Sequence, residues 1–247
     1  MSDTSESTAP AAATGAPVAD NVVMVHGAYA DGSSWADVIP LLQAAGCNVT
    51  SVQNPLTSLA DDAAATRRVL DLQNGPTVLV GHSWAGTVIS ETGGHPNVVA
   101  LVFVAARAPR AGEDYGALAA QYPPAPASAG LVHTDGFAQL SEQAFLEDFA
   151  NGVDPVRAKV LYAVQGRISD SLFSSRTTAA AWQDKPCWYA VSLQDRTTTT
   201  ALERFLAARM NATTIELDSG HLSLVTHPQQ IADLILQATG RSGGTAG

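Results

Sequence analysis

"TVLVGHSWAG", Thr77–Gly86, is the stretch on which the reading of this chain turns. Thr77 to Val80 suit a buried strand, and the run ends in a serine with a glycine two residues away on each side. The spacing is G-x-S-x-G, a weak pattern by itself because small residues recur by chance. Its context sharpens it: a strand pattern precedes the serine, and a helical pattern, "WAGTVISETGG" (84–94), follows. A very tight strand-to-helix turn would hold the Ser83 hydroxyl clear of the sheet. Glycines at 81 and 86 would remove side chains that collide across such a turn. The helix N-terminus behind Ser83 would aim backbone N–H groups at developing negative charge. The alternative, in which Ser83 only caps the helix, leaves both glycines unexplained.

Working outward, "NVVMV" (21–25), "CNVTSVQ" (47–53), "TVLVG" (77–81), "NVVALVFVAA" (97–106), "PCWYAVSLQD" (186–195) and "TTIEL" (213–217) read as six strands. Helical patterns lie between them. "SSWADVIPLLQAAG" (33–46) has Ser33 or Ser34 as its cap and Trp35, Val38, Ile39 and Leu42 on one face. "SLADDAAATRRVLDLQNG" (58–75) carries Asp61 and Asp62 in its first turn, where they serve the helix. "TALERFLAARM" (200–210) places Leu202, Phe205, Leu206 and Met210 together, and "HPQQIADLILQATG" (227–240) does the same with Ile231, Leu234, Ile235 and Ala238. Continuous apolar strands alternating with amphipathic helices predict a mostly parallel sheet of about six strands in a three-layer α/β/α sandwich.

Residues 108–185 break the rhythm. They hold "QYPPAPASAG" and two helix-like stretches, with no clear strand pattern. An insertion of this length between two sheet strands reads as a helical cap over the core formed by 21–107 and 186–240. Residues 1–20, rich in Ser, Thr, Ala and Pro, read as a disordered leader, and 241–247 as a disordered tail. The leader lacks the basic start and apolar core of a secretory signal. The chain as given is therefore expected to be soluble and cytoplasmic, or secreted or periplasmic if a signal has been removed.

The 247 residues carry 13 basic and 23 acidic side chains, a formal charge of −10. Such a chain repels polyanions, which argues against nucleic acid as a partner. No apolar run reaches the roughly 18 residues of a membrane span. Cys47 and Cys187 are the only cysteines. They fall on well-separated strands and are expected to be free thiols, and no metal-ligand spacing is present.

A serine hydroxyl needs a base to become a nucleophile. Of six histidines, His221 lies in "ELDSGHLSLVTHP", past the last strand and before the final helix. In an open parallel sheet, the loops at the strands' carboxyl ends form the reaction face. Ser83 and His221 both follow strands onto that face. His26 does too, but its neighbour Gly27 points to a loop of close approach. His82 reads as a packed neighbour of the turn, His227 as a cap of the last helix, and His95 and His133 as surface residues. The anion that orients the histidine is expected to be Asp195, at the end of "SLQD". Asp218, three residues before His221, is the alternative and reads as a brace of its own loop. The oxyanion donors expected are the backbone N–H groups of Trp84 and Ala28, each worth on the order of 10²–10³ in rate.

Four motifs in this order, "VMVHGAYADGSSW" (23–35), "GHSWAG" (81–86), "SLQDRTTTTALERFLAARM" (192–210) and "DSGHLSLVTHP" (218–228), resemble the α/β-hydrolase superfamily. The likeness covers residues 21–240 and is strongest to the branch holding plant-type methylesterases, hydroxynitrile lyases and small bacterial carboxylesterases. It implies the triad Ser83, Asp195 and His221, and it implies hydrolysis of small, fairly apolar carboxylic esters without metal or cofactor. The lyases of that branch carry a threonine where this chain has Gly27 and a lysine where it has Leu222, which implies hydrolysis over cyanide elimination. The "IP" usual after the acid is replaced by Thr198-Thr199. Tyr29, Tyr122, Phe145, Phe149, Phe173 and Leu222 are candidates for the substrate pocket, although cap-core packing explains the phenylalanines and Tyr122 equally well. Lactonase, amidase or perhydrolase chemistry on the same triad is the nearest alternative. A non-catalytic ligand receptor on this fold is further off.

Overall fold

The computed structural model describes residues 18–241; most of the expected leader and of the expected tail lie outside the described residues. Six parallel strands form the main sheet in the order β2-β1-β3-β4-β8-β9. They are β1 (Asn21–Val25), β2 (Asn48–Val52), β3 (Thr77–His82), β4 (Val98–Val104), β8 (Cys187–Ser192) and β9 (Thr213–Leu217). Every residue of β1 and β3 is buried, as central strands covered on both faces require. Helices α1 (Ile39–Ala44) and α9 (Pro228–Ala238) pack together on one face. Helices α2 (Leu59–Asp71) and α3 (Ala85–Thr92) contact each other, as right-handed crossovers on the other face demand. Helix α7 (Thr200–Arg209) lies along β8. The fold is a three-layer α/β/α sandwich with an inserted helical subdomain.

Local chemistry accounts for several boundaries. The stretch expected as one helix over 33–46 is a 3₁₀ turn, Gly32–Trp35, followed by the short α1. Pro40, without an N–H, sits in the first turn of α1 and restarts the helix there. The cap of the 3₁₀ turn is Asp31, whose carboxylate accepts from Ser33 N; neither serine caps it. Ser58 caps α2 by accepting from Asp61 N. Ala19, expected in the leader, is fully buried, and its N–H donates to Thr239 O. Arg241, expected in the tail, pairs with Asp20 and donates to Ala45 O at 3.0 Å. The packed chain thus extends slightly past both expected ends. Cys47 and Cys187 are buried free thiols, and burial pushes Cys187 up to about 12, where the thiolate is scarce.

The chain between β4 and β8 forms α4 (Tyr115–Ala119), α5 (Glu142–Ala144), α6 (Pro155–Ala163) and, against expectation, a small antiparallel sheet. That sheet pairs β5 (Leu131–Thr134), β6 (Phe137–Leu140) and β7 (Ile168–Ser169). Its hairpin turns on Asp135-Gly136, both at positive φ (53° and 78°), the signature of a two-residue turn that needs an Asp-Gly pair. Among the described residues, no helix is long and apolar enough to cross a membrane.

Because all six strands run the same way, their carboxyl ends share one edge. Strands β1 and β3 are neighbours there, at the point where the chain switches from building leftward to building rightward. Ala28 follows β1, Ser83 follows β3, Asp195 follows β8 and His221 follows β9.

Candidate active site

The turn after β3 is as tight as its glycines allow. Ser83 has φ 55°, in the left-handed region that costs a residue with a side chain on the order of 1–3 kcal/mol. Ser83 N donates to Val104 O at 3.1 Å, while Ser83 O accepts from Gly86 N and Arg107 N, each at 3.0 Å. A side chain at 81 would put its Cβ 2.9 Å from Ala85 O, and one at 86 would strike the Arg107 carbonyl. Gly27 lets the loop after β1 approach the same turn, since a Cβ there would lie 2.8 Å from Ser83 Cβ. Gly86→Ala is expected to destabilise the fold by about 1–3 kcal/mol. It should also lower kcat/KM for esters about 10²-fold by displacing the serine. Thermal melts and ester assays read both effects. A variant with wild-type melting and turnover would contradict this account of the turn.

Three side chains brace the turn. Trp84 Nε1 donates to Asp62 Oδ2 at 2.8 Å, and Asp62 Oδ1 accepts from Leu56 N at 2.8 Å. Asp62, expected only to serve its own helix, is therefore also a buried anchor for the residue after the serine. Burial raises its carboxyl above the usual value. His82 is fully buried, and its Nε2–H donates to the His221 carbonyl at 3.1 Å, tying β3 to the loop after β9. Burial, with the neighbouring His221 ring, holds His82 well below the usual histidine value and so neutral. His26 Nε2 accepts from Asn54 N at 2.9 Å, so its Nδ1–H donates to Gly27 O at 2.8 Å and steadies the loop carrying Ala28. Neither the Ala28 nor the Trp84 N–H is taken by an acceptor among the described residues. His227 makes no side-chain cap to α9; its Nδ1 meets Thr226 Oγ1 at 2.9 Å.

His221 and Asp195 meet at 2.6 Å through Nδ1 and Oδ2, and both side chains are fully buried. His221 Nε2 is buried without a hydrogen-bond partner. No hydrogen bond joins it to the Ser83 hydroxyl in this structure, and such contacts are often long before substrate binds. Asp195 Oδ1 accepts from Thr197 N at 2.6 Å and Thr198 N at 2.7 Å, so the threonine loop folds around the carboxylate. Asp218 faces elsewhere, accepting from Gln194 Nε2 at 3.2 Å on the surface. The cap reaches this edge: Arg196 pairs with Asp148 at 2.6 Å, Asn151 Nδ2 donates to Gln194 O at 2.8 Å, and the Phe149 and His221 ring centroids are 5.2 Å apart.

Glu203, which carries no sequence motif, is fully buried near Asp195; its Oε2 accepts from Ser192 N at 3.0 Å, and its Oε1 has no hydrogen-bond partner. Burial, followed by the Asp195 charge, pushes its carboxyl well above the usual 4.5. The residue stands on the buried stripe of α7 with Leu202, Leu206 and Ala207. Phe205, expected on that stripe, is 40% exposed instead. A carboxyl raised by folding stabilises fully below its unfolded value, and that stabilisation is lost as pH rises through the folded one. Glu203→Gln keeps the side chain's shape and an acceptor for Ser192 N while removing the ionisable carboxyl. Its melting temperature relative to wild type is therefore expected to climb steadily above about pH 4.5. A pH-independent offset would contradict the raised carboxyl.

The cavity that holds Ser83 measures about 190 Å³ and is lined by Ala28, Tyr29, Arg107, Phe173 and Thr197 among others. Tyr122 lines an adjoining cavity of about 470 Å³, which shares Arg107, Ser128, Thr197 and Thr198 with the first. Phe145, Phe149 and Leu222 do not line the cavity that holds Ser83; with Tyr29, which lines both, they surround a separate small void. A more open groove of about 740 Å³ lies near Asp37, Asp154 and Gln229 and contains none of Ser83, Asp195 or His221.

The profile of the Alpha/beta hydrolase family matches residues 22–234, and the chain belongs to that family. Solved structures of similar fold include a pyrethroid hydrolase from Sphingobium faniae JZ-2, at 18% identity over 90% of this chain and 98% of that one, with a TM-score of 0.72. Polyneuridine aldehyde esterase matches at 16% identity over 89% and 98%, with a TM-score of 0.75. A methylesterase from Arabidopsis matches at 17% over 89% and 98%, with a TM-score of 0.73. Likeness at these identities speaks for the fold. No curated protein matches the sequence.

Proposed function

We propose that the chain is a serine carboxylesterase acting on small, largely apolar esters. The observation that carries this reading is the Asp195–His221 pair on the same sheet edge as a serine in left-handed geometry. Asp195 accepts from Nδ1–H and fixes the tautomer that leaves Nε2 as the base. His221 Nε2 takes the Ser83 proton as the serine oxygen attacks the ester carbonyl. The oxyanion is held by the Ala28 and Trp84 N–H groups. The alcohol departs with the proton from His221, leaving an acyl-serine. Water then gives a proton to His221, attacks the acyl group and frees the acid, returning Ser83 to its hydroxyl form.

Hydrolysis is favoured over cyanide elimination because Leu222, next to the base, is apolar and buried and places no cation there. The named activities of similar structures, pyrethroid hydrolase, aldehyde esterase and methylesterase, agree with ester chemistry. The test is hydrolysis of p-nitrophenyl acetate and butyrate by the wild type and Ser83→Ala. Turnover by the wild type alone supports the reading. Wild-type activity no higher than a heat-inactivated control, or equal activity in both proteins, defeats it.

A further inference from the structure

The cavity beside Ser83 holds a cation that the ester mechanism leaves unused. Arg107 follows the central strand β4, and its N–H, like that of Gly86, donates to Ser83 O. Its position is built: Tyr189 OH donates to Ala106 O at 2.7 Å and accepts from Ala106 N at 3.0 Å, fixing the preceding residue. Among the described residues, its guanidinium has no hydrogen-bond or ion-pair partner. The contrast with Arg209 is direct, since that buried arginine is held by both oxygens of Glu113 at 2.9 and 3.0 Å.

What surrounds Arg107 is aromatic. Its guanidinium carbon lies 4.0 Å from the Phe173 ring centroid, 4.8 Å from that of Tyr115 and 5.4 Å from that of Trp84. Ring faces hold a guanidinium without neutralising it, and stacking leaves the in-plane N–H edge free to donate. Among the described residues, Arg107 is the only charged residue lining either of the two adjoining cavities, in a chain whose net charge is −10. Three further polar groups stand ready there. The hydroxyls of Tyr29, Tyr115 and Thr197 are buried and have no hydrogen-bond partner. Tyr29 and Thr197 line the cavity with Ser83, and Tyr115 lines the adjoining one. Burial raises both phenols, and the Arg107 charge acts on each in the opposite direction. An unpaired cation in a cavity whose lining also carries unpartnered hydroxyls suits an anion, which accepts hydrogen bonds from such groups.

We propose that Arg107, with the Tyr29 and Thr197 hydroxyls, binds a carboxylate on the substrate, so that the esters hydrolysed at Ser83 have an apolar body and one anionic end. The inference rests on the esterase reading for its catalytic part, while the anion site itself does not. The experiment compares mono-p-nitrophenyl adipate with its neutral methyl ester in wild type, Arg107→Gln and Arg107→Lys. A charge-assisted contact should give the wild type about a tenfold or greater preference in kcat/KM for the charged ester. Arg107→Gln should bring that ratio to about one, and Arg107→Lys should keep part of it. In parallel, adipate is titrated calorimetrically into Ser83→Ala and into the Ser83→Ala/Arg107→Gln double variant. Saturable binding only where Arg107 is present upholds the site. A wild-type preference for the neutral ester, an unchanged ratio in a folded Arg107→Gln, or no adipate binding to Ser83→Ala overturns it. If the wild type hydrolyses neither ester, the esterase reading fails and the titration alone decides the anion site. If Arg107→Gln does not fold, the wild-type ratio and the Ser83→Ala titration decide it.

Discussion

Replacing Ser83 by alanine is expected to lower kcat for ester hydrolysis by about 10⁵–10⁶-fold. The reason is that every covalent step of the proposed mechanism passes through one oxygen. Without it, the Ala28 and Trp84 N–H groups still meet the carbonyl, and His221 still stands as a base for water. That remnant accounts for a residual acceleration of about 10³–10⁴ over the uncatalysed reaction. The variant should fold normally, because the Ser83 hydroxyl makes no hydrogen bond that holds the turn; backbone bonds to Val104, Gly86 and Arg107 do that work. Alanine at φ 55° is strained much as serine is, so melting should shift little. Parallel rate assays and thermal melts separate the chemical loss from any structural one.

The second large effect is expected at Asp195. The three groups that hydrogen-bond its carboxylate, Thr197 N, Thr198 N and His221 Nδ1, all donate to it. Asparagine brings an N–H₂ into this ring of donors, where it has nothing to give to. It either faces a like donor or forces His221 into the opposite tautomer, with the proton on Nε2. A histidine in that state cannot take the serine proton, and the expected loss in kcat is about 10⁴-fold. Asp218→Asn removes only a surface contact to Gln194 and is expected to change the rate by no more than about twofold. A larger loss in Asp218→Asn than in Asp195→Asn would reassign the acid.

Most of the fold was legible in the sequence because periodicity and the covered parallel sheet are tightly coupled. Strands buried on both faces, such as Val98–Val104, can be little else. The small cap sheet was missed because β5 is a mostly exposed edge without alternation. The one signal for it was Asp135-Gly136, a turn pair that fits a two-residue hairpin. At the site, Ser83, His221 and Asp195 could be named as candidates because a nucleophile, base and acid are each sought at a strand end, where chain order implies spatial adjacency. Glu203 and Arg107 were harder to see. Glu203 is legible only as a charge on an otherwise apolar helical stripe with Leu206 and Ala207. Arg107 ends an apolar strand, and its lack of a partner is a three-dimensional fact. Phe145 and Phe149 illustrate the reverse limit, since composition marks them as apolar cap residues but not whether they face the cavity or His221.

The central claim, that Ser83 is a nucleophile activated by His221, is tested most directly by trapping it. The wild type is treated with a fluorophosphonate, digested, and mapped by peptide mass spectrometry. One phosphonyl adduct per chain is expected, on the peptide containing Ser83, with labelling slowed strongly in His221→Ala. An adduct on another residue, or no adduct in a folded protein, would contradict the account.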